Sequence, residues 1–461
     1  MSTSYKVKFW EHRVRLDRRM PYMVRWTVAG KEFSESYLTK TQADGRKSVL
    51  IVAARAGEPF DTVQGLPVSE LREPDVTTWY QHSRNYVKAR WKGAPAKTRT
   101  TWADALASVT FEMVSSKAGM PDKRIVRRAL YTWGFNVNRW EQEPPPDVEK
   151  ALAWIARNSL LVSDLSEAKM MRRMLEAASV LLDGKKAAPS TVLRKRRILH
   201  HVLGRAVEDG LLSANPLPQI QWQPPDIDEE VDPEVVVNPE QAAALIAEVG
   251  RQGKVGPSLQ AFFGCMYYAA MRPAEVVQLE RARCVLPETG WGRLILNASS
   301  PRVGSSWTDD GASHDARGLK HRAAKATRPV PIPPELVALL RAHLERYGTA
   351  ADGRVFQTGP GGFVQESTYG RIWKQARSAV LNEADQATSL ARRPYDLRHA
   401  CVSLWLNSGV DATEVARRAG HSVAVLLRVY AKCIHGGEDQ ANELISQRLG
   451  RNAAKAPPKG A

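Results

Sequence analysis

Five widely separated positions in the C-terminal half of the chain carry side chains suited to one kind of chemistry. An apolar run over residues 259–270 leads into Met271-Arg272-Pro273-Ala274-Glu275-Val276-Val277-Gln278-Leu279. Gly318-Leu319-Lys320-His321-Arg322 comes next, ahead of Arg328-Pro329-Val330-Pro331-Ile332-Pro333. Farther on stand Arg393-Pro394-Tyr395-Asp396-Leu397-Arg398-His399-Ala400 and Ala419-Gly420-His421-Ser422, with Tyr430 nine residues after His421. Two arginines, a lysine, a histidine and a tyrosine lack the carboxylate cluster that a Mg²⁺ nuclease would use. Guanidinium forks match the non-bridging oxygens of a phosphodiester and stabilise the extra charge of a pentacoordinate transition state. A tyrosine hydroxyl could serve as nucleophile and form a covalent intermediate. Taken singly, such arginines read as surface residues and such a tyrosine as half-buried packing. The set in this order is what carries meaning.

These residues need elements to hold them. Residues 5–15, 21–28 and 32–38 alternate apolar or aromatic with polar side chains, the period of a half-buried sheet, with a turn at Ala29-Gly30. Thr41 is the expected cap of a helix running to about Ala56, stopped by Gly57 and Pro59. From about Asp75 to Pro216 the pattern turns helical: Trp79, Tyr86, Trp102 and Leu106 recur at helical spacings. A last helix is expected over residues 190–208, with Val192, Ile198, Leu199, Val202 and Leu203 on one side and Lys195, Arg196 and Arg197 along it. Those cations either line a phosphate backbone or are simply solvated. Residues 217–238 are proline-rich and acidic with one aromatic, Trp222, and read as a linker. Residues 297–318, rich in Gly, Ser and Asp, read as a long loop inserted in a hairpin. The tail continues as helix to about Leu449 and then runs out in Ala, Pro and Lys.

With 461 residues the chain has room for about three domains. Its 43 % hydrophobic content is enough for sizeable cores and excludes wholesale disorder. The longest apolar runs are broken by charge, so no membrane span is expected, and the N-terminus has no apolar core of a signal peptide. Cys265, Cys284, Cys401 and Cys433 have neither disulfide-framework nor zinc-ligand spacing and read as core or surface thiols. A soluble protein of a reducing compartment is expected. Lys and Arg number 66 against 49 acidic residues, a net charge of +17 that points to a polyanionic partner, nucleic acid first. Residues 1–61 alone hold twelve basic and seven acidic residues, net +5, and a small basic sheet of this kind can enter a DNA groove.

The constellation resembles the catalytic domain of the tyrosine recombinases, the phage-integrase family. Residues 272–279 look like the family's first box, an arginine followed three residues on by Glu and then by an apolar pattern. Asp396-Leu397-Arg398-His399 matches its second box, and Gly420-His421-Ser422 with Tyr430 its third. Ala206-Val207-Glu208 to Asn215-Pro216 is similar to the end of the family's helical core-binding domain, and the basic sheet at the start resembles its arm-binding domain.

The resemblance implies a multidomain, mainly α fold. A small N-terminal β-sheet plus helix (1–65) would bind arm-type DNA, and an all-α core-binding domain would cover 75–216. A linker (217–238), a mixed α+β tyrosine-recombinase catalytic domain (239–450) and a tail (451–461) would follow. The function implied is site-specific breaking and rejoining of DNA through a 3′-phosphotyrosyl intermediate, in integration or excision of a phage or mobile element. Tyr430 would attack, Arg272 and Arg398 would hold the scissile phosphate, His421 would add a hydrogen bond, and Lys320 would protonate the departing 5′ oxygen. Glu275 and Asp396 would orient the arginine or backbone beside them, or form ordinary salt bridges. No cofactor and no metal is implied. The implied partners are double-stranded DNA attachment sites, a homotetramer on synapsed DNA and a directionality factor, with no membrane, in a cytoplasmic, DNA-associated setting.

Two positions depart from the family. Tyr395 stands where His or Lys is usual, and a phenol is a poor base near pH 7. Lys320 and Lys325 both lie in the hairpin segment, and Lys320 is favoured because Leu319-Lys320 precedes the polar, turn-like stretch. His399 follows Arg398 directly, so on a helix it points about 100° away from the arginine and reads as structural. His435 has no visible partner. A type IB topoisomerase uses related chemistry but needs no second DNA-binding arm. A DNA-binding accessory factor with a decayed site is favoured only by Tyr395.

Overall fold

The computed structural model describes residues 2–71, 76–228, 230–320, 326–359, 361–434 and 442–449. At the N-terminus, Tyr22–Val28 is the central strand of a small antiparallel sheet. Lys31–Tyr37 pairs along one edge, while Val7–Phe9 and Arg13–Val14 share the other. The single strand expected over 5–15 is thus two, broken at residues 10–12. Val24, Trp26 and Val28 alternate inward and pack with Ala43 and Leu50 of the helix Lys40–Arg55. Ala29 and Gly30 both have positive φ, 50° and 90°, which a tight two-residue hairpin turn requires. The helix is capped by Thr39 rather than Thr41: Thr39 Oγ1 accepts from Gln42 N–H, and Gln42 Oε1 accepts from Thr39 N–H. The reciprocal box needs Gln three residues after the cap, which only Thr39 offers.

The next unit is all helix. Trp79–Trp91, Ala96–Thr110, Pro146–Asn158, Ala168–Ala178 and Pro189–Glu208 surround a core that includes Trp79, Tyr86, Leu106, Ile155, Leu199 and Val202. Of the three cations on the last helix, Lys195 is buried. Its ammonium donates to Ser108 Oγ (2.7 Å) and the Val180 carbonyl (2.8 Å), with Asp104 at 3.7 Å. It therefore braces the helix packing and does not face solvent. Arg196 stacks over Trp222, 4.7 Å from the ring centre.

The C-terminal half is mixed. The apolar helix Gly256–Tyr268 lies at its centre, in contact with Pro239–Val249, Pro334–Tyr347 and Asp396–Asn407. A three-stranded antiparallel sheet, ordered Arg328–Ile332, Gly292–Leu296, Cys284–Val285, flanks this bundle. Ala412–Ala419 and Val423–Tyr430 close the end that carries the third box.

Two segments expected to be loop or linker make specific contacts. Val231 is buried, its N–H donates to the Val429 carbonyl (2.7 Å), and Glu230 and Asp228 both pair with Lys432, so the acidic linker grips the end of the helix that carries Tyr430. In the segment 297–318, Ala298–Ser299 pairs with Arg317–Gly318, and the stretch between them docks on the helical unit. Trp307, 6 % exposed, sits between Trp91 and Tyr131 with ring centres 6.1 and 5.1 Å away. Arg99 donates to both oxygens of Asp309 (2.6 and 2.9 Å) and to the Trp307 carbonyl (3.0 Å), and lies over the Trp91 ring. Asn138 donates to the Thr308 carbonyl, Asn136 to that of Ser306, and Arg317 to that of Ala94. No helix among the described residues is long and apolar enough to cross a membrane.

Candidate active site

Arg272 precedes the short helix Pro273–Val277, and Glu275 folds back on it. Glu275 accepts from the Arg272 N–H (2.8 Å) and from Arg272 Nη1 (2.9 Å). A second guanidinium, Arg328 from the sheet, forks onto the same carboxylate at 3.1 and 2.7 Å. Glu275 and Arg328 are both buried. Burial by itself would raise the Glu275 carboxyl, but Arg328, Arg272 and Arg398 outweigh it and hold it down to about 2. Burial pulls the Arg328 guanidinium below its usual value, against Glu275, and a guanidinium is not deprotonated within a protein.

Arg398, on the first turn of Asp396–Asn407, is fully buried. One of its terminal nitrogens donates to the Ala270 carbonyl, and the other to the Ala419 carbonyl (2.6 Å) and His421 Nε2 (2.9 Å). The third box has a backbone reason. Gly420 ends the helix Ala412–Ala419 in the left-handed conformation (φ 72°), and a Cβ there would come within 2.2 Å of Arg328 Nη1. The carbonyls freed at this terminus, Ala419 and Gly420, face Arg398, Arg328 and Arg272. Cations at a helix C-terminus are favourably placed.

His421 accepts from Arg398 and is therefore neutral. Burial, then Arg398, Arg272 and Arg328, lower its pKa to about 3. Its ring stacks against Tyr430 with centres 6.1 Å apart. Tyr430 ends the helix Val423–Tyr430, which Ser422 caps through Val425 N–H. The phenol is only 1 % exposed, and burial raises its pKa well above the ordinary value although Arg398 opposes this. Its hydroxyl lies 3.0 Å from His399 Nδ1.

The structure therefore gathers Arg272, Glu275, Arg398, His421 and Tyr430. It adds two residues that the sequence reading left out, Arg328 and His399. Tyr395 packs edge-on against His399 at 5.1 Å, as residues four apart on a helix do, and interacts with Arg272. Asp396 is buried but turned away from Arg398: it accepts from the Arg393 N–H (2.7 Å) and pairs with the Arg393 side chain, fixing the loop before the helix. Lys320 is exposed next to buried Leu319, and among the described residues nothing holds its ammonium. Lys325 and His435 lie outside the described residues. A cleft opens beside Arg272, lined by Pro273, Ser300, Arg302 and His314. Among the described residues, Arg272 and Arg328 thus share one carboxylate, Arg398 beside them bonds carbonyls and His421, and the two imidazoles stay neutral, leaving about two positive charges unanswered. Buried polar atoms without a partner are uncommon, and Arg398 Nε, Arg328 Nε and His421 Nδ1 have none among the described residues.

No protein-family model matches the sequence. The chain is similar to the integrase of Mycobacterium phage FRAT1, 22 % identical over 269 residues that cover 58 % of this chain and 72 % of that one. It is likewise 22 % identical over 254 residues to the integrase of Mycobacterium phage L5, covering 54 % of this chain and 61 % of the relative. A shorter stretch of 128 residues, 26 % of this chain, is 32 % identical to an integrase of Streptomyces ambofaciens, of which it covers 32 %. Among solved structures, the fold is similar to that of the Tn1549 transposon integrase in complex with transposon right-end DNA. The TM-score is 0.50 at 16 % identity, over 80 % of this chain and 99 % of that one.

Proposed function

We propose that this chain is a tyrosine recombinase, which breaks and rejoins DNA at specific sites through a 3′-phosphotyrosyl intermediate on Tyr430. The observation that carries the proposal is the surplus of positive charge beside a buried tyrosine: half-buried Arg272 with buried Arg328 and Arg398 against, among the described residues, the one carboxylate of Glu275. A phosphodiester brings one negative charge, and its pentacoordinate transition state a second. A fixed, water-poor cluster of guanidiniums stabilises the second charge more than the first, which is what lowers a barrier. Arg272 and Arg398 hold the non-bridging oxygens and His421 donates from its free nitrogen. Tyr430 Oη displaces the 5′ oxygen, and Lys320 supplies the proton that oxygen needs. The phosphotyrosine is an ester like the bond it replaces, so rejoining consumes no nucleotide. No metal or cofactor enters this reading. Glu275 and Asp396 act by fixing Arg272, Arg328 and the loop before Arg398.

The basic sheet unit (1–65) is proposed to bind arm-type DNA, and the helical unit (75–216) to clamp core DNA against the catalytic half (239–450). The partners proposed are attachment-site duplexes, three further copies on synapsed DNA and a directionality factor. Phage or mobile-element integration fits the integrases among its relatives. The test uses the full chain and a duplex selected from a random-sequence pool by retention on it, nicked near the retained site so that cleavage is trapped. Wild type should form covalent adducts in EDTA that map to Tyr430. Tyr430→Phe should form none while retaining the duplex. Adducts from the Phe variant would defeat the assignment, with Tyr395 and Tyr369 the next candidates. Lys320→Ala should slow cleavage about 10²–10⁴-fold, and recover on a substrate whose 5′ bridging oxygen is sulfur, since a thiolate leaves without a proton.

A further inference from the structure

We propose that His399 is a catalytic residue of this site, its Nδ1 taking the hydroxyl proton of Tyr430 as Tyr430 attacks the phosphodiester. The inference rests on the reading of Tyr430 as nucleophile and adds the step which that reading leaves open, namely where the phenolic proton goes.

Among the described residues, the bond at 3.0 Å to His399 Nδ1 is the one hydrogen bond made by the Tyr430 hydroxyl. The other groups at hand are poorly placed to take the proton. His421 Nε2 is already occupied by an Arg398 N–H. Tyr395, standing where the family usually has His or Lys, is a phenol and a weak base. Lys320 is assigned to the other end of the reaction. His399 is held in place from both sides: the Tyr395 ring meets it edge-on at 5.1 Å, and the Tyr430 ring lies 5.7 Å away at 52°. The groups that face it are Tyr395, Arg398 and Arg393 from its own helix and the loop before it, Tyr430 from the facing helix, and His421 from the turn ahead of that helix.

The step balances. The Tyr430 Oη–P bond forms and the P–O5′ bond breaks. The phenolic proton passes to Nδ1 of a His399 ring whose hydrogen is on Nε2, and Lys320 gives a proton to the 5′ oxygen. When the 5′ hydroxyl attacks the phosphotyrosine to rejoin the strand, both protons return. Burial, then Arg398 and Arg393, lower the free imidazole to about 4, so it is in the accepting form throughout the neutral range. The phosphodiester's own charge, arriving beside Arg398, offsets part of the cationic field acting on the ring. His399 therefore becomes more basic when substrate is bound, and that is when it must accept.

The test compares wild type, His399→Gln and His399→Ala on the retained, nicked duplex. Gln can keep a hydrogen bond to the phenol but cannot take a proton. Both variants should retain the duplex as wild type does and form the Tyr430 adduct about 10²–10⁴-fold more slowly. Their rates should climb with pH as Tyr430 ionises unaided, while the wild-type rate levels off above the acid range. Added imidazole should restore part of the rate to the Ala variant, which has a vacated space, and none to the Gln variant. Cleavage by His399→Gln within about threefold of wild type would overturn the proposal, since base assistance is worth far more than that. A deficit constant across pH and unmoved by imidazole would overturn it too, leaving His399 as a positioning residue. If wild type itself forms no Tyr430 adduct, the reading of Tyr430 fails. If wild type forms one and His399→Gln matches it, only the present inference fails.

Discussion

The buried arginine of the helical unit and the arginines of the candidate active site are built differently. Arg99, in the helical unit, spends its terminal nitrogens on partners within the chain: both oxygens of Asp309 and the Trp307 carbonyl, with the Trp91 ring against its face. One cation meets one anion, and Asp309, 68 % exposed, keeps much of its hydration. In the candidate active site, Arg272 and Arg328 share the single carboxylate of Glu275, while Arg398 beside them is held by carbonyls, one of them at a helix end, and by His421. The first arrangement is a closed joint between two parts of the chain. The second is incomplete until an anion arrives. Burial alone does not tell a structural arginine from a working one, whereas the local balance of charge does.

The sharpest way to break the distinction is Glu275→Gln. Removing one partner of a buried ion pair costs about 3–5 kcal/mol, because the other is left uncompensated, and here two paired guanidiniums lose theirs at once. Urea unfolding should move down by that order, and inorganic phosphate at high millimolar concentration should recover more stability in the variant than in wild type. A variant as stable as wild type would mean that the site's charge is already balanced by the backbone.

A crossed pair of substitutions comes next. Arg272→Ala should lower adduct formation about 10²–10³-fold, as loss of one donor to a developing oxyanion does. Its stability should change by less than about 1 kcal/mol, since Glu275 keeps Arg328 and one repelling charge is gone. Arg99→Met should do the reverse. The ion pair itself is worth little with Asp309 so exposed, but a buried carbonyl loses its donor and the Trp91 face its cation. We expect a loss of about 1–3 kcal/mol of stability, with cleavage per folded molecule far less affected than by Arg272→Ala. Equal effects of both on both measurements would erase the difference between the two centres.

How much of this was legible beforehand depends on the sequence distance over which the physics acts. The boxes around Arg272, Arg398, His421 and Tyr430 are local patterns, and the resemblance they carry gave the fold class as well. Arg328 carries no local sign of its role, because its partner Glu275 lies 53 residues earlier and only strand pairing brings them together. His399 points away from Arg398, as its place on the helix dictates, but toward the facing helix, where Tyr430 is, a neighbour no local spacing reveals. Lys195 had the composition of a solvated face and is buried, a matter of which neighbours the helix meets. Residues 297–318 read as loop because Gly, Ser and Asp outnumber everything else, yet one side chain, Trp307, ties them to the helical core. The cap at Thr39 needed only the Gln42 three residues on to be weighed.

The smallest effect expected concerns pH and tests whether the surplus charge is felt by its neighbours. His421 is lowered to about 3 by burial and the three arginines, and His399 to about 4 by burial, Arg398 and Arg393. Both stay neutral in the fold while an unfolded imidazole begins to take a proton near pH 6.5. Below that the unfolded chain binds more protons, so the stability these rings contribute is complete above about pH 6.5 and is lost as pH falls toward 4. Each ring adds at most about 1.4 kcal/mol per pH unit to the slope. His314 and His343 are also lowered by burial and act in the same window, so the wild-type slope alone does not isolate the site. The comparison that does is between variants. His421→Gln should flatten the fall in urea midpoint between pH 6.5 and 5 by about one proton's worth. Glu275, held to about 2, contributes its own loss only below the usual carboxylate range and stays out of this window. Arg272→Ala should flatten the same limb by a smaller amount, because one of the charges holding His421 neutral has been removed. Parallel slopes for wild type and His421→Gln would mean that the imidazole titrates normally in the fold, and that the arginines beside it are already answered.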